Sequence, residues 1–283
     1  MKKYLLILLF ALVSLYGSAG DFLFRHYFVD DGLPSNTVRA ILQDKFGFIW
    51  FGTDEGLCRY DGTAIRKFCF NCESADPYVS CLYDAGDKIW IGSFRGILLY
   101  DYTTEHFIPL RAKTSHGVKI SSNVTRITSD KDGNIWVSTM EQGVFRYSPR
   151  LHKLDNYPFR PISGKVACVF VDGDNQIWAT SNWGSPAVWK LDKARNQFVP
   201  AHLTGYPADN YMSLTMNEDA AGNVWLGTWE HGLMKIDRSG RAETCLAGAM
   251  HIHSISEYLP GQLLIGCDDG LLLYNTVTGL CQV

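Results

Sequence analysis

The stretch DKFGFIWFGTDEGLCRY, residues 44–60, contains a pattern that the rest of the chain repeats. Trp50 is followed six residues later by Gly56 and ten residues later by Tyr60. The pattern returns downstream with at most one residue inserted, and Leu264 replaces the tryptophan in the last copy. The copies are centred on Trp50, Trp90, Trp136, Trp178, Trp225 and Leu264. Subtracting neighbouring positions gives spacings of 40, 46, 42, 47 and 39 residues, which are typical of propeller blades or helical repeats.

The local pattern within each repeat favours strands over helices. Short β-branched and aromatic runs at 49–51 and 56–60 are separated by Thr-Asp-Glu-Gly, which is a hairpin signal. An alternating run at 38–42 precedes the tryptophan, and a more polar fourth run follows at 65–68. Four strands per repeat predict an all-β fold, a β-propeller built of four-stranded blades, of which six are recognisable.

The recurring tryptophans are predicted to be structural core residues. A blade is a twisted sheet that buries both faces against its neighbours, and a large flat side chain fills the wedge between two blades. Burying one such ring contributes roughly 4–6 kcal/mol to the free energy of folding, before the loss of conformational entropy is subtracted. The residues in this predicted core are Trp50, Trp90, Trp136, Trp178 and Trp225.

The first twenty residues have the composition of a secretory signal. Lys2 and Lys3 precede an apolar run at 5–16, and small residues follow at 17–20. We therefore predict a signal peptide at 1–20, a propeller domain at 21–283 and a periplasmic location. The sequence has no second apolar stretch of the roughly 20 residues that a membrane helix needs.

The two ends of the chain predict an incomplete ring. Residues 22–29 resemble an outer strand that has no blade of its own, whereas the last repeat carries its own outer strand at 279–283. Propellers close by letting an N-terminal strand complete the last blade, because closure removes open sheet edges. We therefore expect seven blades in the intact protein, with 22–29 serving the seventh.

Composition and motifs argue against several functions. The formal net charge is −3 and no basic run of five residues occurs, which argues against direct nucleic-acid contact. The sequence contains no catalytic motif, and no cofactor is predicted. Cys69 and Cys72 have CxxC spacing without a second pair, so a local disulfide or free thiols are favoured over a metal centre. His251 and His253 share one face of a strand, but two ligands alone do not predict a metal site.

The candidate binding residues lie in the turns between the tryptophan strand and the glycine strand. The framework of these turns repeats while their tips vary, and equivalent turns must emerge on one face of the disc. The candidates at the tips are Phe94, Arg95, Trp183, Trp229 and His231. Aromatic rings among polar groups suit the apolar faces and hydroxyls of sugars. The alternatives are solvated hairpin tips, or a surface that packs against other domains.

Residues 32–38, 43–53 and 56–62 resemble the two-component regulator propeller repeat, and the resemblance extends over 22–283. In that family, two propellers and an immunoglobulin-like domain precede a membrane helix, a histidine kinase, a receiver and a DNA-binding module. The resemblance implies a periplasmic sensor module, responding to an oligosaccharide, within a longer hybrid receptor of the inner membrane. It also implies homodimerisation through regions absent from this sequence, and no catalysis by this chain.

Two other functional classes stay open on the sequence. One is a secreted propeller that acts as a scaffold for protein interaction. The other is a propeller lyase, which would need histidine, arginine, tyrosine or carboxylate side chains converging on one face.

Overall fold

The polypeptide forms six antiparallel sheets of four strands each in the computed structural model, which describes residues 24–68, 70, 77–159, 165–181, 187–207, 212–248 and 250–282. Blade 1 consists of β1 (Val38–Gln43), β2 (Ile49–Thr53), β3 (Gly56–Tyr60) and β4 (Ile65–Phe68). Blade 2 consists of β5 (Cys81–Asp84), β6 (Lys88–Ser93), β7 (Gly96–Asp101) and β8 (His106–Pro109). Blade 3 consists of β9 (Val124–Ser129), β10 (Ile135–Thr139), β11 (Gly143–Ser148) and β12 (Lys153–Tyr157).

The second half of the chain repeats this arrangement. Blade 4 consists of β13 (Val166–Val171), β14 (Ile177–Ser181), β15 (Val188–Asp192) and β16 (Gln197–Pro200). Blade 5 consists of β17 (Ser213–Glu218), β18 (Val224–Thr228), β19 (Leu233–Ile236) and β20 (Ala242–Leu246). Blade 6 consists of β21 (Ile252–Leu259), β22 (Gln262–Cys267), β23 (Gly270–Asn275) and β24 (Cys281–Gln282).

The blades follow one another around a common axis. Within each blade every strand pairs with its neighbour in sequence. The first strands of successive blades are the inner ones, and β1, β5, β9, β13, β17 and β21 pack in that order. The prediction of an all-β propeller with six four-stranded blades is confirmed. The seventh blade stays a prediction.

The repeated tryptophans lie between blades. Trp50 is 0% exposed and packs against Phe68 of its own blade and Tyr100 of blade 2, with ring centroids 5.0 Å apart in both cases. Trp90, Trp136 and Trp225 are also buried, whereas Trp178 is half-buried. These rings occupy the wedge that the sequence pattern assigns to them.

Four of these tryptophans are held by an aspartate six residues earlier in the chain. The indole Nε1 donates to the aspartate Oδ2 in the pairs Trp50–Asp44 (2.7 Å), Trp136–Asp130 (2.8 Å), Trp178–Asp172 (2.7 Å) and Trp225–Asp219 (2.7 Å). The other oxygen, Oδ1, accepts backbone N–H groups two and four residues after the aspartate. We call this arrangement the Asp–Trp clasp. One carboxylate therefore closes the turn between the first two strands and also satisfies the buried indole.

Glycines two residues after the tryptophan allow neighbouring blades to approach closely. A Cβ on Gly52 would lie 2.5 Å from Cγ1 of Val79, which leads into blade 2. A Cβ on Gly227 would lie 2.5 Å from Cγ2 of Ile252 in blade 6. Both distances are too short for a side chain, so the Trp-x-Gly spacing is a packing requirement.

The predicted strand at 22–29 is wrong over its described part. Residues 24–28 lie outside any strand, and Val29–Asp31 forms a single 3-10 turn. Local side chains bend the chain here, because Asp31 Oδ2 accepts the N–H of Phe28 and Asn36 Oδ1 accepts the N–H of Val29. The segment contacts blade 1 through side chains instead, with the Tyr27 ring 5.2 Å from that of Tyr60.

Several sequence-based predictions fall outside the described residues. The signal segment 1–20, Cys69 and Cys72 are among them. The six cysteines that the structure describes are free thiols, and Cys58 and Cys168 are buried. The described part of the chain contains no helix with the length and apolar character needed to cross a membrane.

The clasp predicts a selective loss of stability. Asp130→Ala should lower the free energy of unfolding by about 3 kcal/mol or more, since a buried indole N–H and two turn N–H groups lose their acceptor. Asp130→Asn should be intermediate, because one amide oxygen cannot replace both carboxylate oxygens. Denaturant unfolding measures both. Asp132→Ala, an exposed position in the same turn, is the control and should change stability by less than about 0.5 kcal/mol. Equal losses at 130 and 132 would contradict the clasp.

The aspartates also predict how stability depends on pH. A backbone hydrogen bond from Ala64 and a side-chain hydrogen bond from Thr63 lower the pKa of Asp61 to about 2. A side-chain hydrogen bond from Lys88 lowers the pKa of Asp101 to about 2. Burial raises the pKa of Asp219, but hydrogen bonds from Asn223 and its other donors outweigh it and lower the pKa. A carboxylate with a lowered pKa stabilises the fold above its unfolded value of about 3.9, and this contribution disappears as pH falls through the folded value.

The melting temperature should therefore fall between about pH 4 and pH 2. Circular dichroism melts at a series of pH values test this. Asp219→Ala isolates one group, and its deficit in melting temperature relative to the unchanged protein should shrink as pH falls through this window. A deficit that stays constant down to pH 2 would show that ionised Asp219 does not stabilise the fold.

Candidate functional site

One face of the propeller collects the variable turns. In blades 1, 3 and 5 the turn between the second and third strands lies beside the segment that leads into the first strand. Backbone bonds join the two: Asp54 N to Thr37 O (3.3 Å), Met140 N to Asn123 O (2.9 Å) and Trp229 N to Met212 O (2.8 Å). We call this surface, made of these turns and lead-in segments, the turn face.

A repeated threonine fixes the frame of the turn in blades 1, 3 and 5. Oγ1 of Thr53, Thr139 and Thr228 donates to the carbonyl oxygen of Gly56, Gly143 and Gly232 respectively, at 2.8 Å in each case. All three threonines are fully buried at the end of the second strand. Because the buried threonine holds the backbone of the turn, the residues at the tip can vary without loss of the fold.

Blades 1 and 2 present the first aromatic stack of the turn face. The ring of Phe94, which is 47% exposed, lies 3.8 Å from that of Tyr78 with an interplanar angle of 20°. The Arg39 guanidinium lies 5.8 Å from the Tyr78 ring and its Nε is 2.7 Å from Asp54 Oδ1. An exposed ring therefore stands beside a fixed ion pair.

Blades 5 and 6 present the second aromatic stack. The Trp229 ring, 36% exposed, lies 3.7 Å from His251 at an angle of 13°. Asp268 is shared by two imidazoles, with His251 Nδ1 and His253 Nε2 each 2.5 Å from one of its oxygens. The hydrogen bonds from His253 and His251 lower the pKa of Asp268, so the carboxylate stays ionised near neutral pH.

The structure places most of the predicted binding residues on the turn face but does not gather them at one point. Phe94 and Arg95 belong to blade 2, whereas Trp229 and His231 belong to blade 5. Trp183 lies outside the described residues.

Sequence reasoning missed the partners of the two exposed rings. Tyr78 and His251 both come from lead-in segments rather than from turns, and Arg39 comes from β1. For Tyr78 a signal was available, because it leads into the first strand of the blade whose turn carries Phe94, whereas His251 leads into the blade after that of Trp229.

A separate cavity lies between the outer parts of blades 3 and 4. Its volume is about 680 Å³, and its walls include Tyr157, Phe159, Trp189 and Phe198. The Tyr157 hydroxyl donates to Asn196 Oδ1 at 2.8 Å, which fixes one side of the cavity. Sequence reasoning did not predict it, since its wall residues come from outer strands and from segments between blades.

The histidines of blade 6 do not form a metal site with a third ligand. Among the residues that the structure describes, no group of three or more histidine, cysteine, aspartate or glutamate side chains is arranged to hold a metal ion. The two imidazoles instead orient the carboxylate of Asp268.

Several known proteins are similar to this chain in sequence or in fold. The chain is similar over 66 residues to histidine kinase P4 of Formosa agariphila, with 35% identity across 23% of this chain and 5% of that protein. Among solved structures it resembles the extracellular domain of the putative hybrid two-component system BT4673 from B. thetaiotaomicron, with a TM-score of 0.76 and 24% identity. That match covers 89% of this chain and 33% of the solved one.

A lyase has the same general fold. Virginiamycin B lyase from Staphylococcus aureus matches with a TM-score of 0.68 and 14% identity over 87% of this chain and 83% of the lyase. At these identities the solved structures show the fold alone. The chain spans about a third of the BT4673 domain that it matches and a small fraction of the kinase.

The repeats themselves are recognised by a family model. Residues 32–55 and 119–141 match the two-component regulator propeller family. The first segment includes Trp50 and its clasp partner Asp44, and the second includes Trp136 and Asp130. Two segments of this chain, one in blade 1 and one in blade 3, therefore match the two-component regulator propeller repeat.

Proposed function

We propose that this chain is the ligand-sensing part of a hybrid two-component receptor and that its turn face contacts an oligosaccharide. The repeat family and the likeness to an extracellular receptor domain support the sensing role. The observation that carries the ligand class is the pair of exposed aromatic stacks, Phe94 on Tyr78 and Trp229 on His251.

The chemistry of the two stacks suits a sugar. The C–H groups on one face of a pyranose ring pack against an aromatic ring, while its hydroxyls need donors and acceptors at the edge. Asp268 beside Trp229 supplies a carboxylate, and the Arg39–Asp54 pair beside Phe94 supplies both kinds of group. Each exposed ring is already held by a second ring, so little side-chain freedom is lost on binding.

The wider arrangement follows from the same proposal. In the proposed receptor this module lies in the periplasm, and the full-length protein lies in the inner membrane. The partners of the propeller are then a further propeller, an immunoglobulin-like domain and a kinase of the same protein, in a homodimer formed outside this chain. The chain itself transmits binding and catalyses nothing.

Trp229→Ala should weaken oligosaccharide binding by about 1–3 kcal/mol, which is roughly 5- to 150-fold in dissociation constant, through loss of the stacking surface. The measurement is calorimetric titration of the complete extracytoplasmic region against plant and host glycan oligosaccharides. The melting temperature should barely change, since the ring lies at a turn tip. Phe94→Ala tests the other stack in the same way.

Phe46→Ala is the matched control, because Phe46 is an exposed aromatic residue in a turn between first and second strands, on the opposite face. It should leave affinity unchanged. An oligosaccharide that binds with equal affinity to the unchanged protein, Trp229→Ala and Phe94→Ala would exclude the turn face as the site. The scaffold alternative predicts no saccharide binding at all, and the lyase alternative predicts breakdown of the ligand during titration.

A further inference from the structure

Arg126 reaches the axis of the propeller. It lies on β9 of blade 3, yet its Nη1 donates to Thr215 Oγ1 of blade 5 at 3.2 Å. Blade 4 stands between these two blades, so the side chain must pass inside the inner strand β13. The guanidinium is therefore placed where the inner strands converge.

Two thiols confirm this position. Burial raises the pKa of Cys81, on blade 2, to about 12 and also raises that of Cys168, on blade 4. In both cases the charge of Arg126 opposes the rise, which requires the guanidinium to lie near both sulfurs. Blades 2, 4 and 5 thus all contribute to the surroundings of one cation.

The charge of Arg126 has no carboxylate beside it within the described ranges. Its neighbours there are a hydroxyl and two thiols that stay neutral. By contrast, Arg39 pairs with Asp54 and Arg146 pairs with Asp155. A guanidinium has five N–H donors, and the hydrogen bonds to Thr215 and to the Cys168 thiol use two. A half-buried cation without a counter-charge is costly, and an anion at the axis would relieve that cost.

Buried polar groups without partners lie at or just before the start of the same two strands. Ser213 is 0% exposed and stands two residues before Thr215, and Ser122 is 7% exposed and leads into the strand of Arg126. The Oγ atoms of both serines and Oδ1 of Asn123 lack a hydrogen-bond partner among the residues that the structure describes. Buried polar groups are normally satisfied, so such a group calls for a missing water, ion or ligand. All three lie at the turn-face end of β9 and β17.

We propose that the propeller axis, at its turn-face end, binds the carboxylate group of an acidic ligand. Arg126 is the binding residue, because its planar fork of donors matches two carboxylate oxygens. Thr215 is a positioning residue that holds the guanidinium towards the axis. Ser213 and Ser122 place buried hydroxyls at the turn-face end of the same site. The ligand class is an organic acid, of which an acidic monosaccharide is one example.

Titration with three probes that share one ring tests this site: glucuronate, a sulfated glucose and glucose. Glucuronate should bind the complete extracytoplasmic region at least about 10-fold more tightly than glucose, as expected for charge-assisted hydrogen bonds. Arg126→Gln should abolish that preference, and Arg126→Lys should retain part of it. Added salt should weaken glucuronate binding and leave glucose binding unchanged.

Two further variants separate binding from folding. Arg195→Gln is the control, since Arg195 is an exposed arginine paired with Asp192 in blade 4, and it should keep the preference for glucuronate. Thr215→Val preserves shape and removes the hydroxyl, so it should reduce affinity for glucuronate several-fold while the affinity for glucose and the melting temperature stay unchanged. This variant keeps the test valid even where Arg126→Gln does not fold.

Three results would overturn the proposal. They are equal binding of glucuronate and glucose, including no binding of either; an unchanged preference for glucuronate in Arg126→Gln; and tight binding of the sulfated sugar without binding of glucuronate. None of them bears on the turn-face stacks, because those are tested with neutral oligosaccharides and with Trp229→Ala.

Discussion

The hydrogen bond from a buried indole to an aspartate six residues earlier is the interaction on which the blades depend. An indole that fills the wedge between blades must leave water with its N–H, and an unpaired N–H there would cancel part of the stabilisation that the ring provides. In Trp136 the acceptor is Asp130, whose other oxygen also holds the backbone of the adjoining turn. In four of the six blades, one aspartate carboxylate therefore supports both the packing of the core and the closure of the turn.

Because the clasp stabilises one end of a blade, the opposite end can carry variable residues for recognition. The clasp fixes the end that carries the turn between first and second strands, and the buried threonine, as at Thr228, fixes the frame of the opposite end. Tips such as Trp229 then stand on a rigid base and can be chosen for recognition. Binding residues on a rigid base lose little entropy when a ligand arrives. The axis is different, because Arg126 is held across blades rather than within one.

The fold was predictable because its constraints are local and repeated. The spacing from Trp50 to Gly56 to Tyr60 identifies strands and turns without any knowledge of long-range contacts, and the buried ring follows from the shape of a blade. The site was less predictable. The stack of Trp229 on His251 joins two blades, and the bond from Arg126 to Thr215 skips one, so neither pairing follows from the sequence of a single repeat. The strand predicted at 22–29 is wrong over its described part because Asp31 and Asn36 accept backbone N–H groups there and bend the chain, which a pattern of apolar residues does not reveal.

Hydrogen exchange of the tryptophan indoles tests the central role of the clasp most directly. The chain has eight tryptophans, and each gives its own indole N–H signal in a nitrogen-15 NMR spectrum. The clasped indoles of Trp50, Trp136, Trp178 and Trp225 should exchange with deuterium only through opening of a blade, at rates close to those of the slowest strand amides. The indole of Trp229, at an exposed tip, should exchange at once. Exchange of the four clasped indoles as fast as that of Trp229 would contradict the account.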